Sequence, residues 1–304
     1  MNMETMYDDF LEKNQSTGRN GGTQRQAGVY DPDEYRERKQ AERQELFDML
    51  KEATKEAVSS DEAFNQYIHL QARLNYTVSN SLLVFLQKPD AAELREFDDW
   101  KARGAHIRKN SKAIKILEPH IARNREGEAF TAFQTKRVLD ISQTTALPEN
   151  RRREEVSDKV KFFAIMGISK AKVEAVETHT LGDDVFYDGK QNTIYLRKGL
   201  EREAFLKGLI REEVKAAVFE QNKEELPEIQ NFQAACGAYL IRREYGLSDK
   251  DARISVPESL KNMEPKEIRR CLEYPVSIHS KLKEMQKQIA TKVNEKQSRT
   301  QDAR

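Results

Sequence analysis

The sequence predicts an α+β protein rich in helix, and three observations predict it. Apolar residues recur at helical spacing between Leu46 and Leu86. The period then shortens to two over residues 113–118 and again over 129–141, joined by the polar run 123–127. Beyond these, short strand candidates at 173–177 and 193–196 precede two long amphipathic stretches, 201–222 and 227–245. Helices followed by strands, twice over, suggest two domains, each with a small sheet. A chain of 304 residues has room for both.

The elements follow in chain order. Residues 1–32 are expected to form a disordered arm, because 16–23 are Gly-rich and polar with nothing to bury. Asp31-Pro32-Asp33 is a helix start, with a cap, a proline in the first turn and acids behind it. The helix it opens carries charges of both signs, with Leu46, Met49 and Leu50 as its apolar points. Ser59-Ser60-Asp61 opens a second helix bearing Phe64, Tyr67, Ile68 and Ala72. Ser79 is expected to cap the apolar run Leu82 to Leu86, which Pro89 ends. A short helix around Trp100 stops at Gly104. The strands at 113–118 and 129–141 complete a first domain, 33–148.

The charged, apolar-free stretch 149–157 is read as a linker. A second domain, 158–257, contains the later strands, with 187–190 as a turn, and the two long helices, the last stopped by Gly246. Residues 258–304 form a helical tail with Leu282, Met285, Ile289 and Val293 on one stripe.

Composition excludes several classes. Lys and Arg total 52 against 51 Asp and Glu, so a globally basic DNA-coating protein is excluded and so is an acidic DNA mimic. Attraction to nucleic acid must therefore come from local segregation of charge. No apolar stretch approaches the roughly 18 residues that a membrane-spanning helix needs. Residues 1–20 have no apolar core of a signal peptide, so a cytoplasmic protein is expected, with no membrane partner. Cys236 and Cys271 are too few for a disulfide framework or a thiolate zinc site, and are read as buried small residues. Five scattered histidines, no phosphate-binding Gly-rich loop and no nucleophile–base pair point to a non-enzymatic protein without a cofactor. Asp183, Asp184 and Asp188 read as a solvated turn rather than a cation site.

Charge segregates most between Lys101 and Arg125, where eight cations stand against one acid, Glu118. Arg108-Lys109-Asn110-Ser111-Lys112 has the character of a hairpin tip, with Asn110 suited to left-handed backbone. Such a cluster can displace counterions from a phosphate backbone. Arg103, Arg108, Lys109, Lys112 and Lys115 are the candidate phosphate contacts, and Tyr76, Phe97 and Trp100 are candidate stacking surfaces. Two plainer readings stand beside these: a strand edge blunted with lysine, and a tryptophan in the core. Asn80 and Gln87, on nearly one helix face, either hydrogen-bond nucleic acid or brace the fold.

The residues 76–91, running Tyr-Thr-Val-Ser-Asn-Ser-Leu-Leu-Val-Phe-Leu-Gln-Lys-Pro-Asp-Ala, resemble the opening signature of the N-terminal domain of the ArdC antirestriction family, shared with LtrC-like proteins of conjugative elements. The resemblance continues through Trp100, Gly104, Ile107-Arg108-Lys109 and 112–119, and closes at Val138-Leu139-Asp140-Ile141-Ser142-Gln143-Thr144. It implies a single-stranded-DNA-binding domain of mobile elements. One departure is clear: the family's glycine-rich basic turn reads Lys109-Asn110-Ser111-Lys112-Ala113 here, with both glycines replaced.

The resemblance further implies a zincin-like second domain, whose helix would carry His-Glu-x-x-His. Here Arg211 and Lys215 stand in place of the histidines, only Glu212 persists, and Gln233 replaces the third, acidic ligand. Guanidinium and ammonium groups offer no lone pair to a metal, so a degenerate site without metal is expected, with the cations paired to Glu212 or a nearby acid. The expected function is a non-enzymatic, single-stranded-DNA-binding accessory protein of a plasmid, conjugative element or phage, protecting mobile DNA from host defence. The alternative is an inhibitor or adaptor that grips a host defence protein through the second domain and the tail stripe.

Overall fold

A computed structural model describes residues 32–124, 127–147, 156–177, 182–247 and 253–302, and side chains among them between 34 and 292. The expected arm up to 31, and most of the expected linker, lie outside the described residues. Two compact units are distinguished, Met1–Ala41 and Glu42–Arg304. The described part of the first is the opening of helix α1, Pro32–Ala57, where Arg38 and Lys39 lie over the Tyr35 ring at 5.4 and 5.7 Å.

The second unit holds everything else. Leu46, Leu50, Ala53 and Ala57 recur every three or four residues on α1 and are buried, so the helix docks by one stripe. Helix α2, Asp61–Leu74, is capped by the Ser60 side chain, which accepts from the Ala63 N–H, and ends on Asn75 at φ 54°. Helix α3, Val78–Gln87, is capped by Thr77, whose hydroxyl accepts from the Asn80 N–H. Ser79 therefore lies inside the first turn rather than at the cap, and the helix starts before the apolar run. Leu82, Leu83 and Val84 are wholly buried because α2, the first sheet and the last helix all pack on α3.

The first sheet comprises β1, Leu94–Arg95; β2, Ile114–Arg123; and β3, Ala129–Asp140, all antiparallel in the order β1-β3-β2. The short helix α4, Phe97–Ala102, crosses between β1 and β2 and ends before Gly104 at φ 73°. After α5, Asp158–Ile165, comes a second sheet of β4, Lys172–Val176, β5, Val185–Asp188, and β6, Thr193–Arg197. Its order is β4-β6-β5, with β4 parallel to β6. Strand β5 was not expected. Tyr187 and Asp188, read as a turn, close that strand, and the turn begins at Gly189.

Helices α6, Arg202–Gln221, α7, Pro227–Glu244, α8, Glu258–Lys261, and α9, Pro265–Asp302, complete the described elements. Leu282 on α9 is wholly buried, and Met285 and Ile289 pack against the same cluster as α6 and α7. The tail stripe is thus spent inside the molecule; the Val293 side chain lies outside the described ones. The segments 33–148 and 158–257, expected as two domains, both feed the largest buried cluster. Ile229, Phe232, Tyr239 and Leu240 of α7, with Ile254, Leu260 and Leu272, join Leu46, Phe64, Leu82 and Val138 there. Cys236 and Cys271 are free thiols in the same cluster, and burial pushes the Cys271 thiol up to about 11.

Candidate nucleic-acid interface

The basic turn is held by the segment that follows β3. Asp140 ends the strand and caps a single 3₁₀ turn, Ile141–Gln143, by a reciprocal pair: its carboxylate accepts from the Ser142 N–H, and the Gln143 side chain accepts from the Asp140 N–H. From this frame, bonds run to the basic turn. The Gln143 amide donates to the Lys112 carbonyl at 2.7 Å, and the Gln143 carbonyl accepts from the Arg108 N–H at 2.9 Å. Thr144 bridges Ile107, its carbonyl accepts from Arg108 Nε at 2.8 Å, and Thr145 takes the His106 N–H. Within the turn, the Ser111 N–H reaches the Arg108 carbonyl, with Asn110 at φ 65°, as its residue type suggests.

The turn is not, however, a hairpin tip. The hairpin of this sheet is β2–β3, whose tip lies at 124–128, while residues 108–111 lead into the base of β2. The run of cations is accordingly split. Arg123 lies nine residues up the strand from Ile114, roughly 30 Å away at about 3.3 Å per residue, and Arg125 lies outside the described residues. Lys101, Arg103, Arg108, Lys109 and Lys112 belong to the stretch from the end of α4 to the start of β2, with Asp98 and Asp99 just ahead on α4.

The candidate contacts differ in what they already hold. Lys109 and Lys112 are exposed and make no ion pair among the described residues, and the same holds for Lys101. Arg108 is exposed with one guanidinium nitrogen committed to Thr144. Arg103 lies 3.7 Å from Glu93, and Lys115 donates to both carboxylate oxygens of Glu45 at 3.0 Å. Those last two cations serve the fold first.

The aromatic candidates also separate. Trp100 is 1% exposed, packed with Ala105 and Leu139, and donates Nε1–H to the Leu139 carbonyl at 2.9 Å. It is a core residue and offers no stacking face. Phe97 is 56% exposed, one turn from Lys101 on α4. Tyr76 is half-buried in a cleft of ≈ 440 Å³ lined also by Thr77, Asn80, Arg95, Glu118 and Lys136. There the Lys136 ammonium donates to Glu118 at 2.8 Å and sits 2.5 Å from Glu96, which holds its pKa above the usual lysine value. Acids match cations around Tyr76, so this cleft suits a ring better than a phosphate.

Asn80 and Gln87 brace the fold. Asn80 donates to the Leu117 carbonyl and accepts from the Leu117 N–H, both at 2.9 Å. Gln87 does the same to Lys115, also at 2.9 Å. Two amides on one face of α3 thereby pair with the outer edge of β2 as a neighbouring strand would. Sequence reasoning passed over Phe130 and Phe133, 51% and 38% exposed on β3. Their signal is the run Phe-Thr-Ala-Phe-Gln-Thr, which puts one Phe among polar or small residues on each face, whereas a strand with one buried face alternates apolar and polar.

In the second charged cluster, Arg211 donates Nε–H to Glu212 at 2.5 Å and Nη2–H to the Val185 carbonyl at 2.9 Å. Glu212, 3% exposed, also accepts from the Tyr187 N–H at 3.1 Å, and Lys215 is 4.0 Å away. Arg211 and Glu212 thereby tie α6 to β5, and Lys215 stays within α6. Gln233 is not with them. Its amide accepts from Asn222 at 2.8 Å and donates to the Cys271 carbonyl at 3.1 Å. Among the described residues, no group of three or more His, Cys, Asp or Glu could hold a metal. Of the turn read as solvated, Asp184 pairs with Arg197 and Asp188 accepts from the Lys190 and Gln191 N–H groups.

Together these features define an α+β protein of two small sheets around a shared helical core, with a basic turn framed by the end of β3. Solved structures with this fold include two of the antirestriction ArdC protein from the R388 plasmid. The metal-free crystal structure matches at TM-score 0.55 and 16% identity, covering 81% of this chain and 98% of that chain. The Mn(II)-bound structure matches at TM-score 0.54 and 14% identity, covering 79% and 97%. The chain therefore has the ArdC fold. No protein-family model and no curated protein sequence matches it.

Proposed function

We propose that this chain is a single-stranded-DNA-binding accessory protein of a plasmid or other mobile element, antirestriction-like in role and without enzymatic activity. The observation that carries the reading is the basic turn. Lys109 and Lys112 are exposed with no acid partner among the described residues, and the bonds from Gln143, Thr144 and Thr145 fix the backbone that carries them. Cations held in fixed geometry without internal partners are free to displace counterions from phosphates. Phe97 beside Lys101, and Tyr76 in its cleft, are surfaces on which unpaired bases can stack. The shared fold with an antirestriction protein supports the same reading.

The non-enzymatic part rests on the α6 cluster. The R388 protein has been crystallised with Mn(II), but Arg211, Lys215 and Gln233 do not fit a divalent cation. The guanidinium and the amide are committed to protein partners, and Lys215 leans toward Glu212. The adaptor reading loses its tail surface, because Leu282, Met285 and Ile289 are used in the core.

The test is fluorescence anisotropy of a labelled oligonucleotide, single-stranded against duplex, at two salt concentrations. The wild type is expected to prefer the single strand, with affinity falling steeply as salt rises. A Lys109→Glu/Lys112→Glu variant should bind about ten-fold or more weakly and flatten the salt slope by roughly 0.7 per lost phosphate contact. Equal binding by variant and wild type would remove the turn from the interface.

A further inference from the structure

The distal half of the β2–β3 ribbon is an incomplete sheet. Beyond Glu118, residues of both strands are largely exposed on both faces, and Ile121, Phe130 and Phe133 are 65%, 51% and 38% exposed. A two-stranded ribbon with neither face covered is marginal in water; three or more strands are needed for independent stability. The outer edge of β3 pairs with β1 only at Leu139 and Asp140. Ahead of that, Ala129 to Thr135 is a seven-residue edge without a charge or a proline, in a chain that is 34% charged. Proteins ordinarily blunt such edges. The other edge of the same ribbon is managed: Asn80 and Gln87 seal its proximal part, and Pro119 interrupts the donors beyond.

We propose that the outer edge of β3 pairs antiparallel with the same edge of a second copy of this chain, giving a four-stranded sheet with Ala132 on the two-fold axis. The sequence is self-complementary in that register. Thr131 of each copy faces Phe133 of the other, a β-branched–aromatic pair of the kind that stabilises sheets. Phe130 faces Gln134. At the ends, Glu128 comes opposite Lys136, whose ammonium already serves Glu118 and Glu96, whereas registers centred on either residue would set like charges directly opposite. Within each hairpin Thr131 is paired with Ile121 and Phe133 with Pro119. The association therefore lines up Ile121, Thr131, Phe133 and Pro119 in one row across all four strands, where neighbouring side chains shield one another laterally. An interface of seven residues a side is small, so the dimer is expected to be concentration-dependent rather than permanent.

The test is sedimentation velocity of the full chain over about a hundred-fold range of concentration, with Ala132→Lys, Ala132→Glu and their equimolar mixture. The wild type should move from 35.2 kDa toward twice that mass. Each variant alone should stay monomeric, because the axis sets residue 132 against its own copy, and the mixture should dimerise again as Lys meets Glu. Unchanged circular dichroism and melting temperature establish that the variants fold; Thr131→Lys is the substitute if one does not. A wild type that stays monomeric throughout would overturn the proposal. So would variants that dimerise like the wild type, or a mixture that stays monomeric. If the wild type is monomeric and residue 132 changes oligonucleotide affinity instead, the ribbon is a nucleic-acid surface and the dimer is wrong.

Discussion

Asp140 anchors the frame from which the basic turn is held. It is 1% exposed, and its carboxylate accepts from the N–H groups of Ala92, Glu93 and Ser142. Burial pushes its pKa up, but the bonds from Ser142, Ala92 and Glu93 outweigh burial and hold it below the usual carboxylate value. Asp140→Ala would take the acceptor from three part-buried N–H groups, two of which belong to exposed residues and can turn to water, so a loss of about 1–2 kcal/mol is expected in urea unfolding at neutral pH. Asp140→Asn should lose less. The pH dependence has a definite sign. A carboxyl with a depressed folded-state pKa contributes stability that is fully present above its unfolded value near 3.8 and is lost as pH falls through the lower folded value. The gap between wild type and Asp140→Asn should therefore be widest at neutral pH and close below about pH 4. Residue type made the candidate set legible but not its internal ranking. Lys115 and Lys109 look alike in sequence; what separates them is Glu45, 70 residues from Lys115. Trp100 likewise reads as core or platform until Leu139 supplies a carbonyl for its indole.

Among the elements, α9 carries a proline in its interior, Pro275, and α7 answers for it. A proline has no N–H for the carbonyl four residues back, here Cys271. The buried Gln233 amide donates to that carbonyl across the helix–helix interface. Gly237, one turn further along α7, leaves room for Val214, since a Cβ there would lie 2.8 Å from Val214 Cγ1, and it packs beside Pro275, whose Cβ would be 3.6 Å away. Gln233 thus has a structural task that its place in a resembled metal site did not suggest. Gln233→Leu should destabilise by about 2 kcal/mol, because the Cys271 carbonyl and the Asn222 amide both lose their partner. Adding Pro275→Ala restores an N–H to Cys271 from within α9. The double variant should then recover about 1 kcal/mol relative to additivity, as a double-mutant cycle by chemical denaturation would measure. Most helices were legible from caps, stripes and stop residues. Strand β5 was not, because four residues running into Asp188-Gly189 carry a stronger turn signal than strand signal.

At the scale of the molecule, the shared cluster decides how the two halves depend on each other. The sequence suggests a break at 149–157, because charge and the absence of apolar residues are local properties. The packing of Phe232 and Tyr239 with Phe64 and Tyr67 is not local, and no periodicity announces it. The Phe64 and Phe232 rings pack tilted at 50° with centroids 4.8 Å apart, and Asn65 holds Ile254 through both its backbone groups. Separating 33–148 from the rest would expose the face that α7, Ile254, Leu260 and Leu272 cover. At about 1.5–3 kcal/mol for each large apolar side chain returned to water, losing several such contacts exceeds the 5–15 kcal/mol that holds an ordinary domain together. A fragment of residues 33–148 is therefore expected to lack a cooperative melting transition. The full chain is expected to melt in a single transition with equal calorimetric and van't Hoff enthalpies. A fragment that melts cooperatively, or a full chain that melts in two steps, would make the first half self-sufficient. The distinction bears on the DNA reading. If the halves fold as one, core substitutions in α7 should weaken oligonucleotide binding in proportion to lost stability, whereas Lys109→Glu/Lys112→Glu should weaken it with the melting temperature unchanged.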